Sequence, residues 1–148
     1  MKNLLFYALL AAVAMTVIAS ACTTSRNKAD ETVWRYVGTL PAADCPGILY
    51  DLTLCGLSAD SMAGTFALST TYLEAENGKD VRFDSEGRWE MLQGIPGDST
   101  ALFYRLVETG KGFDTTNFLY LGDSVMLLGA GLQRPQSALN YTLIRVAE

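Results

Sequence analysis

From Trp34 to the end of this 148-residue chain, short apolar runs alternate with clusters of turn residues, and no run keeps the three-to-four-residue spacing of an amphipathic helix. Such a chain buries its apolar side chains by pairing strands, so the fold class is all-β. Strands are predicted over Trp34–Leu40, Ile48–Leu54, Gly64–Leu73, Val81–Met91, Thr100–Val107, Thr116–Leu121, Val125–Leu128 and Leu139–Val146. Breakers separate them: Pro46 and Gly47, residues 56–64, Asn77 and Gly78, residues 94–97, Gly110 and Gly112, Gly122 and Asp123, and residues 129–136. Asn77 followed by Gly78 is the sharpest hairpin cue, because both residues tolerate positive φ.

Eight consecutive strands with short links predict an antiparallel up-and-down meander, and closing it into a barrel removes the exposed edges. A two-sheet sandwich is the alternative. Ile48, Tyr50, Leu52 and Leu54 alternate with Asp51 and Thr53, which puts the first set inward and the second outward. Phe66 and Leu68 repeat that spacing, as do Leu139, Tyr141 and Leu143. The runs Leu102–Val107, Phe118–Leu121 and Val125–Leu128 are apolar on both faces, so something must cover their outer side, or they offer a patch to another protein through Leu119 and Leu121. An eight-stranded barrel is either filled by its own side chains or wide enough for one small ligand. Trp34, Tyr36, Tyr50, Tyr72, Trp89, Tyr104, Tyr120 and Tyr141 could serve as core or as cavity lining.

Eleven basic against 16 acidic side chains leave a net charge of -5, so the phosphate neutralisation that drives nucleic-acid binding has no source and no nucleic-acid partner is expected. The chain holds no histidine, which removes the usual general base, the usual partner of a nucleophilic Ser or Cys, and the commonest metal ligand. No enzymatic activity is expected. Asp80, Asp84, Glu86 and Glu90 alternate with Arg82 and Arg88, as on a solvated face with cross-strand pairs; catalysis by two carboxylates, there or at the outward Asp51, has little support.

Lys2 and the uncharged run from Leu4 to Ala21 read as a secretory signal. At its end, Ala19, Ser20, Ala21 and Cys22 resemble the lipobox of bacterial lipoproteins, although the usual Leu of the first box position is Ala19. The expectation is therefore a signal peptide over residues 1–21, a diacylglyceryl group on Cys22, a polar tether over residues 22–33 and a barrel domain over residues 34–148. Each buried acyl methylene contributes about 0.8 kcal/mol, so the acyl chains become the membrane anchor. Ordinary signal cleavage and a retained helix are the competing readings. Thr23, rather than Asp, follows the cysteine, which favours the outer membrane over inner-membrane retention.

The segment Tyr36-Val-Gly-Thr-Leu-Pro-Ala-Ala-Asp-Cys-Pro-Gly-Ile48, the alternation to Leu54, Gly64-Thr-Phe66, Tyr72-Leu73, Gly87-Arg-Trp89 and Asn140-Tyr-Thr-Leu143 together resemble the amino-terminal domain of NlpE-type lipoproteins, also called copper resistance lipoproteins. The resemblance implies a small lipocalin-like barrel on an outer-membrane lipoprotein, facing the periplasm, with roles in envelope stress sensing, surface adhesion and copper tolerance. Two departures stand out. The family's Cys-x-x-Cys turn is reduced here, in the motif Pro41, Ala42, Asp44, Cys45, Pro46 and Gly47, to the single Cys45, because Ala42 takes the first position. The better-known member also carries a second, carboxy-terminal domain, and none is expected after the last predicted strand.

With Cys22 lipidated, Cys45 and Cys55 remain. A strand over Ile48–Leu54 separates its ends by about 20 Å, whereas disulfide Cα atoms lie within about 7 Å, so two thiols are expected rather than a bond. A Cu(I) site is the one cofactor to weigh, with soft sulfur from Cys45, Cys55 and one of Met62, Met91 or Met126. Against it, methionine is ordinary core filling and a lone cysteine is a small buried hydrophobe.

Overall fold

The computed structural model describes residues 31–110 and 115–147. The predicted signal segment, Cys22 and the tether up to residue 30 lie outside the described residues. Eight strands run in order: β1 Thr32–Leu40, β2 Ile48–Gly56, β3 Ala63–Glu76, β4 Lys79–Ile95, β5 Asp98–Glu108, β6 Thr115–Tyr120, β7 Ser124–Leu127 and β8 Thr142–Val146. Each pairs antiparallel with the next, and β8 returns to β1 through Arg35–Val146, Tyr36–Arg145 and Val37–Ile144, so the sheet is a closed up-and-down barrel. No helix among the described residues is long and apolar enough to cross a membrane.

Local chemistry fixes the register. Asn77 and Gly78 both take positive φ, of 52° and 75°, and join Glu76 to Lys79 in the tight turn that the sequence predicts. Between β4 and β5, Ile95 pairs with Asp98 across Pro96 and Gly97, and Gly97 at φ 82° meets the turn's demand for a left-handed residue. Alternation then sends Leu52, Leu54, Phe118, Val125 and Leu143 into the barrel, where each is fully buried. Burial of this kind stabilises by about 1.5–3 kcal/mol per side chain.

Two of the motif segments interlock. Gly64 of β3 stands opposite Trp89 of β4, and Phe66 stands opposite Gly87, so each glycine faces the other segment's ring. A Cβ on Gly64 would fall 1.8 Å from the Cys55 carbonyl oxygen and 2.7 Å from Trp89 Nε1. That space is taken by a hydrogen bond: Trp89 Nε1 reaches over β3 and donates to the Cys55 carbonyl of β2 at 3.0 Å. Gly87 is as constrained, its absent Cβ lying 2.0 Å from the Val107 carbonyl oxygen. Glycines here give the sheet the close approach that a small barrel needs at its bends.

The strands that are apolar on both faces have a cover made by the chain itself. Phe103, Leu119, Ile95 and Leu128 form a second buried cluster on the outer wall, against Leu92, Ala101, Met126 and Leu132. Leu132 belongs to the short 3-10 turn Ala130–Leu132 in the β7–β8 connection, which folds back over that wall. Leu119 is thus buried rather than displayed as the sequence suggested; Leu121 remains exposed. The same connection explains a shorter last strand. Leu139, expected to point inward, precedes β8 and is 60% exposed, and Tyr141 also lies outside it. Asn140 Oδ1 accepts a hydrogen bond from the Thr142 backbone N–H at 3.1 Å, a local turn that breaks the strand before it reaches Leu139.

Candidate ligand site at the barrel mouth

Antiparallel order places the starts of odd strands and the ends of even strands at one rim. There the inward-facing residues are large and aromatic. Trp34 meets Trp89 edge-on at 5.9 Å between ring centres, Trp89 meets Tyr104 at 5.4 Å, and Tyr104 meets Tyr120 at 5.8 Å. Tyr36 tilts against Tyr104 at 6.4 Å, and their hydroxyls hydrogen-bond to each other. These are favourable aromatic geometries, and together they line one wall of a cleft. Its volume is about 360 Å³, with Met91 and Arg145 completing the wall and Ala59 to Met62 of the β2–β3 loop forming the lip. That volume lies within the range of small-molecule sites.

The lip is tied down. The Ser58 N–H donates to Ser61 Oγ at 2.9 Å, the Ser61 N–H donates to the Ser58 carbonyl at 3.1 Å, and the Met91 N–H donates to the Met62 carbonyl at 2.7 Å. Burial pushes both Tyr36 and Tyr104 above the ordinary phenol range; for Tyr104 the neighbouring Tyr36 adds to the effect, and for Tyr36 its bond to Tyr104 partly offsets it. Both hydroxyls therefore stay protonated and serve as hydrogen-bonding groups. The mouth offers the exposed ring of Tyr120, the half-buried ring of Trp34, thioether sulfur, one guanidinium and the Asp60 carboxylate, while Tyr36, Trp89 and Tyr104 back it as buried core. This set suits stacking on, and hydrogen bonding to, a small amphipathic molecule.

The sequence-derived candidates divide between the two ends. Trp34, Tyr36, Trp89, Tyr104 and Tyr120 gather at the mouth with Met62 and Met91. Tyr50 packs on Phe118 deeper in the barrel, Tyr72 packs on Phe83 of β4, and Tyr141 is half-buried beside the β7–β8 connection. The motif turn 41–47 lies at the opposite end. Pro41, Ala42 and Cys45 are half-buried there, Asp44 and Pro46 are exposed, and Gly47 is buried. The Gly47 carbonyl accepts from the Leu73 N–H at 3.0 Å and from Cys45 Sγ at 3.3 Å, which locks the turn onto β3.

Cys55 sits near the far end of β2 from Cys45, and neither cysteine is in a disulfide. Met126 packs under the outer layer. The predicted sulfur set is therefore not brought together: only Met62 and Met91 share a cavity. Among the described residues, no three His, Cys, Asp or Glu side chains form a cluster fit for a metal ion.

The carboxylates are on the outer wall. Arg35 forms a two-pronged pair with Asp51, at 2.9 and 2.7 Å, and holds its carboxyl below the usual range. Arg82 pairs with Asp84 along the same strand rather than across strands as expected. Asp80 accepts from the Glu74 N–H at 3.0 Å, while Glu86, Arg88 and Glu90 are exposed. A cleft of about 570 Å³ opens among Arg35, Asp51, Arg82 and Asp84 on the outer wall; its charged groups are ion-paired to one another and no aromatic ring lines it.

Among the strand residues of the mouth, Arg145 is the one absent from the sequence-derived candidates. Its signal was available: extending the alternation one step beyond Leu143 turns Arg145 inward. The loop residues Ala59, Asp60 and Ser61 had no comparable signal, since only the fold brings them over the barrel.

Residues 36–138 match the family model of the NlpE N-terminal domain. No curated protein and no solved structure matches the chain. The match covers well over half of the chain, which therefore belongs to the NlpE N-terminal domain family.

Proposed function

We propose that this member of the NlpE N-terminal domain family is a lipid-anchored envelope lipoprotein that works by binding rather than by catalysis, and that its barrel mouth is the binding site. Cys22 carries the anchor, the outer membrane holds it, and the barrel faces the periplasm. The observation behind the site assignment is the convergence of Trp34, Trp89, Tyr36, Tyr104 and Tyr120 around one cleft with Arg145 at its wall. The expected ligand is small and amphipathic, with an apolar body against the rings. Native mass spectrometry of residues 23–148 tests the reading: a retained adduct lost in Tyr120→Ala supports it, and identical adducts in both forms contradict it.

Copper handling or envelope stress sensing is the role that family membership favours. For Cu(I), the supporting observation is that Met62 and Met91 line the same mouth, while Cys45 lies at the other end. A Cu(I) competition titration separates the cases. Binding lost in Met62→Leu or Met91→Leu but kept in Cys45→Ser and Cys55→Ser places copper at the mouth; the reverse pattern restores the cysteines. Should binding extend to another envelope protein, Leu121 is the accessible contact and Leu119 is not.

A further inference from the structure

Resting on the Cys22 anchor just proposed, we infer that the mouth end of the barrel faces the bilayer, with Leu57, Met62 and Leu121 seated in its interface. These residues belong to the rim at which the chain enters β1 at Thr32. Leu57 is 77% exposed, Met62 56% and Leu121 44%, and Val146 at the end of β8 is exposed beside them. They crown the mouth, where Tyr120 is exposed beside them and Trp34 half-buried below, so one rim combines projecting aliphatic side chains with an accessible phenol. That is the composition of protein surfaces that sit at headgroup level.

The chain length outside the described residues favours one direction. Nine residue steps separate Cys22 from Glu31. A random coil of nine steps has a root-mean-square span of about 17 Å, and a fully extended chain of nine steps reaches about 30 Å. The nine residues of β1, tilted as barrel strands are, make the wall about 23 Å tall before any loop is added. Presenting the motif-turn end to the membrane would stretch the tether beyond its root-mean-square span, to about three quarters of full extension, before any loop is added. Presenting the mouth leaves it relaxed. Exposed Glu31, Asp60 and Asp123 at the same rim favour an uncharged, zwitterionic headgroup over an anionic one.

The test uses the full chain, lipidated at Cys22 and reconstituted in phosphatidylcholine vesicles, with Cys45→Ser and Cys55→Ser removing the other thiols. An environment-sensitive fluorophore is placed on Leu57→Cys at the mouth or on Leu139→Cys near the other end, and tryptophan emission checks that each variant is folded. On flotation with the vesicles, the probe at position 57 should shift to the blue and lose at least about half of its quenching by aqueous iodide, while the probe at 139 stays unchanged. A floating protein that shifts only at 139, or at neither position, overturns the orientation and leaves the anchor standing. A protein that does not float overturns the anchor reading and this inference with it.

Discussion

The two ends of the barrel are built from the same eight strands and differ in what they do with them. At the turn end, Leu40 and Gly47 are buried, Cys45 is bonded locally, and the β7–β8 connection wraps the outer wall. At the mouth, five aromatic rings converge inward, two methionines and an arginine join them, and a loop tied by its own serines forms the lip. The cysteine turn is the more conspicuous in sequence, because proline and glycine frame it. The mouth is where side chains of different chemistry share a space. A motif that stands out along a chain can thus be a device for closing a barrel, while the binding surface is assembled from residues that look like ordinary core.

The contrast makes ordered predictions. Gly64→Ala at the mouth end should be the most damaging change, because the new Cβ meets the Cys55 backbone oxygen and displaces the Trp89 indole. A loss of about 3 kcal/mol or more is expected in urea unfolding. Gly47→Ala at the turn end should cost only about 1 kcal/mol, since its Cβ first meets the Thr39 Cγ2 methyl, 2.7 Å away and able to turn aside. Equal costs for the two would erase the asymmetry between the ends. Trp89→Phe comes between them, at about 1–3 kcal/mol, because it leaves the Cys55 carbonyl without its indole donor. Its effect should be absent in a Gly64→Ala background, a coupling that a double-mutant cycle reads directly.

The smallest effect belongs to the outer wall. Hydrogen bonding to Arg35 depresses the folded-state pKa of Asp51, so the pair's contribution is present above the unfolded carboxyl value of 3.8 and is lost as pH falls through the lowered folded value. Both partners are substantially exposed, which limits the contribution to less than about 1 kcal/mol. Urea midpoints at about pH 5 and pH 2 should therefore draw slightly closer together in Arg35→Gln than in the parent. A large change would mean that the outer wall holds the barrel together more than the core does.

Much of the fold was legible because strand alternation and turn chemistry are local. Asn77-Gly78 required a hairpin, and Leu52 and Leu54 required an interior. The last strand was misplaced at Leu139 because an alternation of three apolar residues looks the same whether or not a turn at Asn140 interrupts it. The double-faced strands signalled a need for cover, but not that residues 130–132 supply it, since that contact joins distant parts of the chain. The mouth was legible only as a set of aromatic residues. Which of them meet depends on registers such as Met91 with Tyr104 and Tyr36 with Arg145, and those follow from barrel closure rather than from any one segment. Gly64 and Gly87 stood out as motif residues, but their reason, the reciprocal placement against Trp89 and Phe66, appears only across strands.

Both tryptophans of the chain, Trp34 and Trp89, lie at the mouth, so intrinsic fluorescence reports directly on that site. The most direct measurement is a titration of residues 23–148 with N-phenyl-1-naphthylamine, an uncharged aromatic probe, followed by energy transfer from tryptophan. Binding at the mouth predicts saturable one-to-one transfer that is weakened in Tyr120→Ala and Arg145→Gln and unchanged in Cys45→Ser. Transfer that survives both mouth substitutions but disappears in Cys45→Ser would move the site to the other end of the barrel and contradict the assignment.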